Sequence, residues 1–202
     1  MAIARILIID NGSQYTHLIK RTCRDLGYET KIINAKQTKE ELKSLLTSFV
    51  SENLKIILSG GPGSVYSDPP NLSSFLCSEI RDGRLKFPLL GICYGHQMIG
   101  HVWGATVAKG KNAEYGTCAI TRTGGVNGGR IMNDVPFKFV AWVSHFDEVK
   151  ELPDGFVSVA SSETCAIEAM EHVSLPIFGV QFHPEVWHTE NGEKILANFL
   201  KL

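Results

Sequence analysis

Gly91-Ile92-Cys93-Tyr94-Gly95-His96-Gln97 follows the apolar run Phe87-Pro88-Leu89-Leu90-Gly91-Ile92 and precedes the helically spaced Met98, Ile99, Val102 and Trp103. A strand therefore meets a helix at Cys93. Glycines two residues to either side let neighbouring backbone pass close while the residue at the tip holds a strained conformation, and a helix N-terminus favours an anion. This is the pattern of a nucleophile elbow with sulfur in place of a serine oxygen, so the spacing predicts that Cys93 is an exposed, activated nucleophile. Of the five cysteines, Cys23 and Cys77 fall in helical patterns, Cys118 in a strand pattern and Cys165 after the polar run Ser161-Ser162-Glu163-Thr164. Those four read as small buried hydrophobes.

Outward from the elbow, strand-like runs alternate with amphipathic helical stretches: Arg5–Asp10 then Tyr15–Leu26, Lys31–Ala35 then Lys39–Val50, Lys55–Ser59 then Leu72–Ile80. Such alternation means a mostly parallel sheet covered by helices. After Trp103 the pieces Thr117–Arg122, Lys138–Val143, Phe156–Ala160 and Ile167–Met170 suggest a small antiparallel or mixed excursion. Pro176–Phe182 then reads as a strand buried on both faces, and Gly192–Leu200 as a closing helix. The expected fold is α/β, an open, mostly parallel, doubly wound sheet, with residues 1–202 forming one domain.

With 20 basic and 21 acidic residues and a net charge of -1, the chain has no signature of a nucleic-acid or membrane-surface binder, and a small substrate is expected. No segment approaches the ~20 apolar residues of a membrane span. The apolar run Ala2–Ile9 meets Asp10 too soon for a signal peptide, and the odd cysteine count matches neither a disulfide framework nor a zinc spacing. A reducing cytoplasm and no metal are the expectations, which leaves the sequons at Asn11 and Asn71 idle.

Ligands of an open parallel sheet gather beyond the carboxyl ends of its strands. Besides Cys93, two such ends stand out: His183-Pro184-Glu185, and Gly60-Gly61-Pro62-Gly63-Ser64 after the strand ending at Ser59. A cysteine nucleophile needs a base, and the base needs a carboxylate to fix its tautomer. His183 and Glu185 supply both if the chain stays extended there, so that the two side chains point the same way. His145 ranks second as base and His96, which would point along its helix, third; His17, His101, His172 and His188 read as surface residues. For an oxyanion, the backbone N–H of Tyr94 and that of Gly61 are the natural donors. Neither the Ser59–Ser64 loop, with Gly63 where a nucleotide loop of that kind needs aspartate, nor Gly104–Asn112 is an ATP site.

The stretches Gly91–Gln97, Ser59–Ser64 and Gly179-Val180-Gln181-Phe182-His183-Pro184-Glu185 together resemble class I glutamine amidotransferases, and the resemblance extends over essentially the whole chain. Within that class, Asp10-Asn11-Gly12-Ser13-Gln14-Tyr15, the segment Trp142–Val149 and Val186-Trp187-His188-Thr189-Glu190 are similar to the glutaminases that serve GMP synthetases of the two-subunit archaeal type. Anthranilate-type relatives read Arg-Tyr-His-Ser-Leu where this chain has Ser144–Asp147. The resemblance implies that Cys93 attacks the side-chain amide of L-glutamine, that His183 protonates the ammonia and then activates water, and that Glu185 orients His183. It also implies that Gly60, Gln97, Ser144, His145 and Phe146 line the glutamine pocket. No cofactor is expected in this chain. The resemblance implies that ATP and magnesium are expected on a separate ATP pyrophosphatase subunit that binds xanthosine monophosphate (XMP). The stretches Glu114-Tyr115-Gly116 and Gly124–Gly129 read as a partner surface or a plain loop. The competing readings are an amidotransferase for an anthranilate or aminodeoxychorismate precursor, a stand-alone γ-glutamyl hydrolase, and a non-catalytic flavodoxin-like module.

Overall fold

The computed structural model describes residues 5–48, 53–124 and 129–202. Among these residues nine strands form one sheet in the order β2-β1-β3-β4-β9-β8-β7-β5-β6. The parallel part holds β1 (Arg5–Asp10), β2 (Glu29–Asn34), β3 (Leu54–Leu58), β4 (Leu89–Ile92) and β9 (Ile177–Val180). Its period-2 pattern sorts side chains onto two faces. Ile6 and Ile8 of β1, Leu90 and Ile92 of β4, and Phe178 and Val180 of β9 pack on α1 (Thr16–Asp25) and α5 (Gly192–Leu200) through Ile19, Cys23, Ile195, Leu196 and Phe199. Leu7, Ile9, Leu58, Leu89 and Ile177 pack on the other face against α2 (Lys39–Ser48), α3 (Leu72–Arg81) and α4 (Tyr94–Val102). Helices on both faces make the sheet doubly wound, as the alternation predicts.

The antiparallel part is larger than the sequence suggests. It comprises β5 (Val107–Arg122), β6 (Lys138–Val149), β7 (Phe156–Ser161) and β8 (Ala169–His172). β5 runs 16 residues where only Thr117–Arg122 reads as strand, because a register shift between Lys109 and Glu114 breaks the alternation by which a strand is recognised. The Ser144–Asp147 segment is part of β6. Although β6 is the last strand in the sheet order, its far edge is paired with the chain after β9: the N–H of His183 donates to the Trp142 carbonyl at 2.8 Å and that of Glu190 to the Val140 carbonyl at 2.9 Å. The β5–β6 arm is thereby brought back over the carboxyl ends of β4 and β9. Of the Gly124–Gly129 stretch, 125–128 lie outside the described residues.

Candidate active site

Cys93 is the residue between β4 and α4, with φ 51° and ψ -106°. A non-glycine residue with positive φ is costly unless its surroundings enforce it, and here they do. The Cys93 N–H donates to the Val180 carbonyl at 2.8 Å, and its own carbonyl accepts from Gln97 N–H at 3.0 Å as the first bond of α4. A side chain at Gly91 would run into the Gly95 carbonyl, and one at Gly95 would lie 2.5 Å from the Leu58 carbonyl oxygen. Both glycines are therefore steric requirements of the elbow. Contrary to the sequence expectation, the nucleophile is covered: Cys93 is only 4% exposed. The glycine loop on one side and β6 on the other close over it, and its sulfur contacts the Ser144 carbonyl oxygen at 3.7 Å. The other four thiols are raised by burial, that of Cys23 to about 12.

The loop after β3 is held by the turn after β1. Asn11 N–H donates to Ser59 Oγ at 2.9 Å, Asn11 Nδ2 to the Ser59 carbonyl at 2.8 Å, and Ser73 Oγ to Asn11 Oδ1 at 2.6 Å. A side chain on Gly61 would sit 2.5 Å from the Asn11 carbonyl oxygen, and one on Gly60 would lie 2.9 Å from His183 Cε1 and 3.5 Å from Cys93 Cβ. These glycines let backbone approach where only backbone fits. Asn71 is the N-cap of α3 in a capping box with Ser74, the structural use of a residue that reads as an idle sequon.

His183 and Glu185 meet across a turn, not along an extended strand: β9 ends at Val180, and Val186 N–H reaches back to the His183 carbonyl at 3.4 Å. The turn brings His183 Nδ1 to 2.8 Å from Glu185 Oε1, with both side chains buried. Burial opposes a charge on the imidazole, but the Glu185 carboxylate and the nearby Cys93 sulfur outweigh it and hold the ring protonated well above the usual histidine range. Tyr15 stands edge-on to the ring, with centroids 5.1 Å apart.

The rival bases are placed differently. His145 is buried with Nε2 2.9 Å from Glu114 Oε2, and burial brings it down to about 4. His96 is fully buried against Gly179 and is lowered to about 3 by burial and by His145. His172 accepts from the N–H groups of Ser174 and Leu175, and His188 stacks on Trp142.

Cys93, Gly61, Gln97, Ser144, His145 and Phe146 line one cavity of about 470 Å³. Gly60 lies beneath it, against Cys93 and His183. Tyr94 sends its side chain into the α2–α4 face, but as the first residue of α4 its N–H has no partner within the helix. Gln97 is anchored through Nε2, which donates to the Asp147 carbonyl at 2.6 Å and to Gln181 Oε1 at 3.2 Å. Sequence reasoning missed Lys109 and quoted Asp147 only within the Ser144–Asp147 segment; the two face each other across β5 and β6 on the same wall. A larger cavity of about 830 Å³ lies between α1 and α5 beside Trp187, on the far side of the His183–Glu185 turn, and Cys93 does not border it.

The sequence profile described as glutamine amidotransferase class-I matches residues 7–202. The chain belongs to that family. It is 46% identical over 199 residues to a Pyrococcus abyssi protein named as one of the subunits of glutamine-hydrolysing GMP synthase, covering 98% of this chain and 97% of the relative. The Thermococcus kodakarensis protein of the same name is 47% identical over 197 residues, with 98% and 97% covered. A Thermoplasma acidophilum crystal structure, described as that of a candidate for the same GMP synthase component, superposes with a TM-score of 0.84 at 34% identity, over 100% of this chain and 94% of that one. In this class I amidotransferase chain the elbow and the glycine loop border one cavity, and His183 lies beneath it against Gly60, with Glu185 behind its ring.

Proposed function

We propose that this chain is the glutaminase component of a two-subunit GMP synthetase, with residues 1–202 acting as one domain. The observation that carries the reading is the strained, glycine-flanked Cys93 beside an imidazole braced by Glu185 at 2.8 Å. The Cys93 sulfur, with its proton already carried by His183, attacks the side-chain amide carbon of L-glutamine. The C–N bond breaks, His183 passes that proton to the departing ammonia, and a thioester remains. His183 then deprotonates a water that cleaves the thioester to glutamate and restores the thiol. The N–H groups of Gly61 and Tyr94 hold the oxyanion of each tetrahedral intermediate. Gln97, with its nitrogen anchored, offers Oε1 to the substrate, and Gly60, Ser144, His145 and Phe146 complete the pocket.

The names of the full-length relatives support a separate partner. By this reading the ammonia passes to a cytoplasmic ATP pyrophosphatase subunit that uses ATP and magnesium to activate XMP. An unpartnered glutaminase would waste glutamine, so the chain alone should turn over slowly, and the charged partner should raise turnover more than glutamine affinity by aligning the oxyanion donors. The test measures glutamate release by this chain alone, then with the synthetase partner, ATP and XMP, with Cys93→Ala alongside. Activation by the partner and loss of all release in the variant are expected. Full activity alone with no response rejects the coupling, and release by Cys93→Ala rejects the nucleophile.

A further inference from the structure

We propose that Glu114, His145 and Glu168, behind the wall of the glutamine cavity, form a binding site for one divalent transition-metal ion with a nitrogen and oxygen donor set. Glu114 comes from β5, His145 from the facing position on β6, and Glu168 from the residue before β8. One donor atom from each lies within 4.8 Å of the other two.

Two observations mark the cluster as a site and not an acidic patch. Glu168 is 0% exposed, and neither of its carboxylate oxygens has a hydrogen-bond partner; Ser162 stands near but outside bonding geometry, its hydroxyl accepting from Cys165 N–H at 2.9 Å. A buried carboxylate left so is costly unless it takes up a proton or meets a cation. His145 Nε2 and Glu114 Oε2 are 2.9 Å apart yet make no well-directed hydrogen bond, as donor atoms do when both face a third point. Glu114 Oε1 accepts from the Thr164 hydroxyl, which fixes the carboxylate's orientation as the outer partner of a ligand does.

Charge points the same way. Two carboxylates stand together with one imidazole, and Glu148 adds its charge to both acids. Two carboxylates and one imidazole match zinc and its neighbours among the first-row divalent ions; a hard ion that demands an all-oxygen shell fits less well. Around a zinc ion with bonds of about 2.1 Å, tetrahedral donors stand roughly 3.4 Å apart, so the widest pair closes by at most roughly 1.4 Å, within reach of a glutamate side-chain rotation. The ion would tie β5, β6 and the approach to β8 together behind the ring of His145, a residue of the cavity wall.

The test uses the full chain stripped with a chelator and titrated with Zn²⁺ by calorimetry and with Co²⁺ by visible absorption. One ion per chain is expected, with the ligand-field bands of a four- or five-coordinate centre. Affinity should fall by about a hundredfold or more in Glu168→Gln and be unchanged in Cys118→Ser and Cys165→Ala. Zinc-edge X-ray absorption of the wild-type complex keeps the question open to refutation even if Glu168→Gln folds poorly, and should show oxygen and imidazole scattering without sulfur. No binding, sulfur in the shell, or affinity untouched by Glu168→Gln overturns the site.

Discussion

Glu185 does more than aim His183. Burial alone would strip the ring of its proton, and the carboxylate is the first of the groups that reverse this. Glutamine at position 185 keeps an acceptor at Nδ1 and removes the charge, so burial regains the upper hand and the pKa of His183 falls. A histidine whose pKa is raised keeps its proton as the pH climbs, and on the proposed mechanism protonation of the leaving ammonia fails only above that raised value. In Glu185→Gln the alkaline limb of kcat/KM should therefore move to lower pH, together with a loss of rate; a limb that stays in place would leave Glu185 a brace and nothing more. The same pair stabilises the fold fully below the unfolded-histidine value of about 6.5 and stops doing so as pH rises through the folded one.

Among the elements, the turn after β1 governs the loop after β3. Asn11 makes three hydrogen bonds that join Ser59 and Ser73, and the Gly61 backbone rests on its carbonyl. Asn11→Ala removes the two side-chain bonds, each worth about 1 kcal/mol net. Because an oxyanion donor acts on the transition state, kcat should drop at least tenfold, by the order of about 1.4 kcal/mol, with KM nearly unchanged; steady-state kinetics check it, and a rise in KM alone would contradict it. This dependence marks where the sequence stops being legible. The elbow, the glycine loop and His183-Pro184-Glu185 are readable because each is local, with glycine and proline at fixed offsets. Asn11 reads as an idle sequon and as part of a resemblance, and its structural use is hidden because its partners are 48 and 62 residues away. The first half of β5 is obscured by its register shift, and the Glu114–His145–Glu168 cluster by the dispersal of its members over three strand regions. Expecting Cys93 to be exposed failed for a related reason: what covers it is the arm of β6, whose return over the strand ends depends on pairing with residues 183–190 and not on any local pattern.

At the scale of the whole molecule, no helix among the described residues is long and apolar enough to cross a membrane. The two faces of the sheet bury almost everything between them, including imidazoles that must stay neutral. His96, held near 3 in the fold, takes up its proton on unfolding near the ordinary value of about 6.5, so stability is lost as the pH falls through that interval. By about pH 5 the loss from this one site is about 2 kcal/mol, and His145 adds to it in the same direction. Denaturant unfolding at pH 7.5 and at pH 5 should show the wild type losing about 2 kcal/mol more than His96→Gln, which cannot titrate; equal losses would contradict the assignment. The cover over Cys93 has a bearing on how the enzyme ages. Peroxide oxidises thiols it can reach, and a sulfur only 4% exposed opens onto the cavity proposed above as the glutamine pocket. Substrate and oxidant then compete for one doorway, so oxidative inactivation becomes fastest when the cell is short of glutamine.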